Sequence, residues 1–206
     1  MNVKRIRRRN LIVAVMLSLF LINVIMTIDT RYSSDVYKSQ RLEEREANPS
    51  VAVSYVDHAP IDVTQDADFE KEDWVGEGTV ISPYILSGFR FNTTGIGISI
   101  RKTSAYFKIS HCLFIGSTST TGILLDSLQN AVLTGNSFQQ IHYAMICVRT
   151  ENILINESII SNCTIALSLE KASEFNITFS DFSSTNTAIY AKQADKLLIG
   201  SCMFKM

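Results

Sequence analysis

Between Tyr84 and the C-terminus one short apolar pattern returns every twenty-odd residues: two apolar residues one position apart, a gap, then a third. The clearest copies are Phe107, Ile109 and Phe114; Ala131, Leu133 and Phe138; Ile153, Ile155 and Ile160; Phe175, Ile177 and Phe182; and Leu197, Ile199 and Phe204. Tyr84, Leu86 and Phe91 form a degraded earlier copy, and the third members step by 23, 24, 22, 22 and 22 residues. A period in this range is the mark of a solenoid, whose repeats bury their apolar faces only against one another. A second apolar pair recurs in phase: Ile98 and Ile100, Ile123 and Leu125, Ile146 and Val148, Leu167 and Leu169, Ile189 and Ala191.

Within each unit apolar residues alternate with polar or small ones, as in Phe175-Asn176-Ile177. Alternation at period two belongs to strands, whose successive side chains leave on opposite faces. The runs are short and broken by Ser, Thr, Asn and Gly, which supply turns. A helical repeat would need longer runs with apolar spacings of three and four, and no unit offers them. The expected fold is therefore all-β: a parallel β-helix of about five to six coils over 84–206, right-handed by the usual crossover rule. Its inward columns would be Leu86, Ile109, Leu133, Ile155, Ile177, Ile199 and Phe91, Phe114, Phe138, Ile160, Phe182, Phe204.

The rest of the chain reads as appendages. Residues 1–10 carry Lys4, Arg5, Arg7, Arg8 and Arg9 and no acid. Leu11 to Ile28 follows as an uncharged, mostly apolar run of eighteen residues, the lower limit for a transmembrane helix. Basic residues on its near side place the N-terminus in the cytoplasm and the repeats outside it. A cleaved signal peptide is the rival reading, but Val24 to Thr30 is bulky where a cleavage site needs small residues. The expectation is thus a single-pass signal anchor over 11–28, a polar spacer over 29–56 and an entry or cap segment over 57–88. Between Asp29 and Val80 thirteen acids face five bases. With no basic stripe beyond the first ten residues, nucleic acid is an unexpected partner.

The entry segment writes His58-Ala59-Pro60-Ile61, then Asp66-x-Asp68-Phe69, then Gly76-Glu77-Gly78-Thr79, then Pro83-Tyr84-Ile85-Leu86-x-Gly88-Phe89. In that order, and followed by these coils, it resembles the entry of right-handed parallel β-helix surface proteins. The similarity is to archaeal members of the group that includes the periplasmic copper-maturation protein NosD and the carbohydrate-binding and sugar-hydrolysis β-helices. It covers roughly residues 57–206 and implies fold far more than activity.

Several residues are candidates for chemistry. Arg101, Asp126, Arg149, Glu170 and Lys192 each follow the second strand of their coil and alternate in charge. They read either as a charged binding strip or as an inter-coil ladder that favours the right register. Asp66, Asp68 and Glu70, with Glu72 and Asp73, are weak candidates for holding Ca²⁺, since the fixed Gly and spacing of a calcium loop are missing. Asn92, Asn156, Asn162 and Asn176 begin N-glycosylation sequons. His58, His111 and His142 occupy non-equivalent positions, and the sequence implies no cofactor. Of the four cysteines, Cys112 and Cys202 share an inward column but lie four coils apart, roughly 19 Å by strand spacing and too far to bridge. Cys147 is expected on the outer side of its strand and Cys163 in a turn.

A membrane-anchored extracytoplasmic module that binds glycans or other envelope components follows as the expected function. A polysaccharide lyase or hydrolase is the alternative and a copper-handling accessory the second. A hydrolase needs paired carboxylates, and the acids of the repeats share no column in adjacent coils, although Glu174 and Asp195 fall near one corner. The chain stops a few residues after Ile199, so the last coil is expected to self-associate or to continue into further coils.

Overall fold

The structure is a computed structural model and describes residues 54–71 and 74–205. The proposed anchor, most of the spacer, and Glu72 and Asp73 lie outside the described residues. Among those described, no helix is long and apolar enough to cross a membrane.

The repeats form a parallel β-solenoid of about six turns with three faces. Every pairing between its strands is parallel; one isolated antiparallel bridge, Val75 to Ile85, lies in the entry segment. The first face begins with Tyr84–Ser87 and Phe107–Ser110 and ends with Asp195–Gly200. The second runs from Val56–Asp57 through Phe89–Asn92 to Met203–Lys205. The third runs from Ile61–Val63 through Ile96–Arg101 to Thr187–Lys192. Two strands, Thr121–Thr134 and Tyr143–Asn156, continue from the third face around a corner into the first. In these two strands each residue pairs with the one 22 positions away, so the repeat length of the sequence is the coil length of the structure.

Both columns expected to point inward do so. Leu86, Ile109, Leu133, Ile155 and Ile177 have no exposed surface, and Phe91, Phe114, Phe138, Ile160 and Phe182 almost none. Burying each such side chain contributes about 1.5–3 kcal/mol. Phe114 stacks on Phe91 at 5.0 Å and on Phe138 at 4.8 Å, and Phe182 stacks on Phe204 at 5.0 Å. Offset ring stacking adds about 0.5–1.5 kcal/mol per pair beyond burial. In the last coil Leu197 is half-buried, while Ile199 and Phe204 are exposed.

A column of small residues makes room for those rings: Gly97, Gly122, Ala144, Ala166 and Ala188. A Cβ on Gly97 would stand 2.9 Å from the Phe114 ring, and one on Gly122 2.7 Å from the Phe138 ring.

On the third face one expectation is corrected. In the third coil the inward pair is Met145 and Cys147, paired with Ile123 and Leu125 and fully buried; Ile146 and Val148 face outward and are half-buried. Cys147 therefore lies in the core, not on the outer side of its strand. The reason is spacing: a residue six positions before the first inward residue of the following first-face strand belongs inside, as Leu125 precedes Ala131 and Leu169 precedes Phe175. Cys147 stands six before Ile153, and Val148 only five.

The corners repeat as strictly as the strands. Among the described residues sixteen non-glycine residues have positive φ, and all fall in four corner columns. One column is Lys102, Ser127, Arg149, Lys171 and Gln193; another is Asn130, Asn152, Glu174 and Lys196. Gly88 and Gly135 share a third with His111, Glu157, Phe179 and Ser201. The next residue in that third column turns inward and is usually a small donor. Cys112, Ser158, Ser180 and Cys202 each donate to the carbonyl two residues earlier, at 3.0–3.4 Å. Asn136 fills the same place, donating to Ile109 O at 2.9 Å and accepting from Cys112 N–H at 3.0 Å.

The entry segment closes the first coil. Phe69 is buried, stacks on Tyr84 at 4.6 Å and meets Trp74 edge-on at 5.5 Å. Its turn, Asp66–Lys71, is pinned by carboxylates. Asp68 accepts from the Thr64 amide and hydroxyl, both at 2.8 Å, and pairs with Lys71 at 2.5 Å. Asp66 accepts from the hydroxyls of Thr103 and Ser104 and the Ser104 amide, tying the cap to the first corner.

Candidate groove at the first corner

Where the third face turns into the first, successive corners enclose a groove of about 480 Å³, within the usual range for a ligand site. It crosses four successive turns, from Thr103 and Ser104 to Lys171 and Ser173. One wall is the positive-φ column and carries Ser127, Arg149 and Lys171. The opposite wall carries Gln129, Glu151 and Ser173, three residues in mutual register. Between them Leu128 and Thr150, paired across the coils and both buried, form the base.

The local reason for this shape is the corner itself. Each turn places a left-handed residue, then an inward residue, then an outward residue before the first face begins. Inward-facing residues, Thr103, Leu128, Thr150 and Ala172, hold the base, and outward positions on either side are free to be polar. Lys and Arg at a left-handed position cost about 1 kcal/mol each relative to Gly, a strain the stacked coils hold in place.

Arg149 Nη2 lies 2.5 Å from Asp126 Oδ1, and its Nε donates to Ser127 Oγ at 2.9 Å. Lys171 has no ion pair or side-chain hydrogen bond among the described residues, and neither has Glu151. Thr150 is 2% exposed, and its hydroxyl finds no partner among the described residues. A buried hydroxyl without a partner costs about 1–3 kcal/mol, and this one is turned into the solenoid beneath the groove.

The alternating charges expected in one column occupy two. Val148, not Arg149, pairs with Asp126 and Glu170, because the inward pair in that coil is shifted by one residue. Arg149 sits at the corner and reaches back to Asp126. Arg101 is in register with Asp126 but binds Asp62 of the entry segment, with Nη2 at 2.9 and 3.0 Å from its two oxygens. Glu170 and Lys192 stand 3.9 Å apart. The ladder thus exists as three separate pairs, each exposed and worth about 0–1 kcal/mol.

Glu174 and Asp195 lie on adjacent coils, but Glu174 pairs with Lys196 at 2.5 Å. Asp126, Glu170 and Glu174 each have a cation from the next coil as partner, not a second carboxylate. Hydrogen bonding holds the Asp66 carboxyl, chiefly through Thr103, and the Asp68 carboxyl, chiefly through Lys71, below the usual carboxylate range. Glu70 is exposed on the same turn. Among the described residues no three His, Cys, Asp or Glu side chains are grouped to hold a metal ion.

His58 packs against Phe89 at 4.5 Å, His142 against Tyr143 at 4.3 Å, and His111 occupies a corner beside Gly135. Asn92, Asn162 and Asn176 are exposed, whereas Asn156 is half-buried and accepts from the Thr178 hydroxyl at 2.9 Å. All four cysteines are free.

A parallel β-solenoid with a polar groove along one corner defines the class of protein. Residues 96–206 match the family described as right handed beta helix region, more than half of the sequence, and the chain belongs to that family. Neither a curated protein nor a solved structure matches it.

Proposed function

We propose that this chain is a membrane-held β-helix module that binds glycans along the first corner, with Leu11 to Ile28 as its anchor and the repeats on the extracytoplasmic side. The observation that carries the reading is the groove, lined by hydroxyl, amide and charged side chains that recur from coil to coil. A site whose polar groups repeat along an axis suits a ligand that also repeats. Binding is favoured over hydrolysis because three acids of the repeats are neutralised by cations instead of facing one another, and a hydrolase requires two carboxylates across the scissile bond.

The test is to incubate the full chain with a panel of oligosaccharides, following both retention and release of new ends. Retention without turnover is expected. New reducing ends or unsaturated products would make it a hydrolase or lyase, and failure to retain any glycan would overturn the reading. For the anchor, protease added to intact cells should remove the repeats from membrane-attached chain. A soluble form beginning near Thr30 would show a cleaved signal peptide instead.

A further inference from the structure

The two walls of the groove differ in charge. On the third-face side, Arg149 and Lys171 stand at equivalent corners of adjacent coils, about 4.8 Å apart along the stack. Among the described residues Arg149 is tied to Asp126 and Ser127 through Nη2 and Nε only, and the Lys171 side chain has no ion pair or hydrogen bond. Lys102, exposed at an earlier corner of the same column, continues the row toward the entry segment. The facing wall offers the Gln129 amide, the Ser173 hydroxyl and the Glu151 carboxylate. At the base, Leu128 and Thr150 turn inward and are buried.

From this we infer that the groove takes an anionic glycan, held with its acidic groups toward Arg149 and Lys171 and its hydroxyls toward Gln129, Glu151 and Ser173. The inference rests on the glycan reading above and adds the charge class and the orientation. A neutral sugar would leave the Lys171 ammonium without a counter-charge. A ligand negative on every edge, such as a nucleic acid strand, would bring its second edge against Glu151. A sugar chain with an acid on one side and hydroxyls on the other satisfies both walls. Carboxylate and sulfate esters share this chemistry.

The experiment uses the full chain with four probes of equal length: a uronate oligosaccharide, its carboxyl-reduced neutral form, a sulfated oligosaccharide and a single-stranded oligonucleotide. The acidic sugar, carboxylated or sulfated, should bind at least tenfold more tightly than the neutral one, with a preference that shrinks as salt is added. Lys171→Gln should cut that preference about two- to fivefold, the range of one solvent-exposed ion pair. Gln129→Ala should weaken the binding of acidic and neutral sugars alike. Because Lys171 is exposed and unpaired, its replacement should leave the melting temperature unchanged, so lost binding cannot be put down to unfolding. Equal binding of neutral and acidic sugars, unmoved by Lys171→Gln, would overturn the anionic inference and leave glycan binding standing. Equal binding of the oligonucleotide would overturn it in favour of a general polyanion surface. Binding of no sugar at all would overturn the glycan reading itself.

Discussion

At the scale of single residues, the cysteines carry the clearest consequence. Cys147 has no exposed surface, and burial pushes its thiol up to about 12. Burial likewise pushes Cys112 and Cys163 up to about 11. Because the thiolate is the reactive form, these three should stay silent to a thiol reagent near pH 8 in the native chain. Cys202 is half-buried in the last coil and should react first, and unfolding should expose all four. Fast modification of Cys147 in the folded protein would contradict its placement. The same raised values fix a direction for stability. A buried thiol contributes fully below its ordinary value near 8.5, and the contribution is lost as pH rises through about 11–12. Alkaline unfolding should therefore soften in variants with Ala or Ser at these positions.

At the scale of the element, the third-face strand Tyr143–Val148 is where orientation is hardest to read and easiest to test. On the first face Phe107-Lys108-Ile109 and Phe175-Asn176-Ile177 carry a polar residue between the apolar ones, and the coil period extends their phase to the other copies. From Tyr143 to Val148 every residue is apolar, and alternation has no phase; only the six-residue offset to the next inward residue sets it. Met145→Asp should unfold the domain, because it buries an unpaired charge, whereas Ile146→Asp should leave a cooperative fold. Met145→Ala should cost about 2–5 kcal/mol in chemical denaturation, and the reverse ranking would restore the Ile146 and Val148 alternative. The small-residue column was equally open to inspection, since Gly122, Ala144, Ala166 and Ala188 are spaced at the coil period. Its meaning was not, because the ring it accommodates comes from a different face. Gly122→Val would drive a side chain against the Phe138 ring and the Ala144 carbonyl, 2.7 and 2.6 Å from the added Cβ. Overpacking of this kind costs about 1–3 kcal/mol, and an unchanged melting temperature would show that the rings shift freely. The groove was the least legible part. Its basic wall depends on φ at Ser127, Arg149 and Lys171, and nothing in those residue types announces a left-handed corner as Gly or Asn would.

For the whole molecule, one geometric property governs the rest: about twenty-two residues make one coil, and each coil advances one strand spacing along a common axis. The columns, the corner walls and the charge pairs all follow from it. Ser87 shares a first-face column with Asn156, Thr178 and Gly200, three, four and five coils further on. With Cys202 replaced by Ser and a spin label fixed at position 87, the second label can be moved to 156, 178 and 200 in turn. Dipolar distances should centre near 14, 19 and 24 Å, rising by about 4.8 Å for each added coil. Distances that fail to rise by one spacing per coil, or a broad distribution at all three sites, would contradict the stacked helix and the groove built on it.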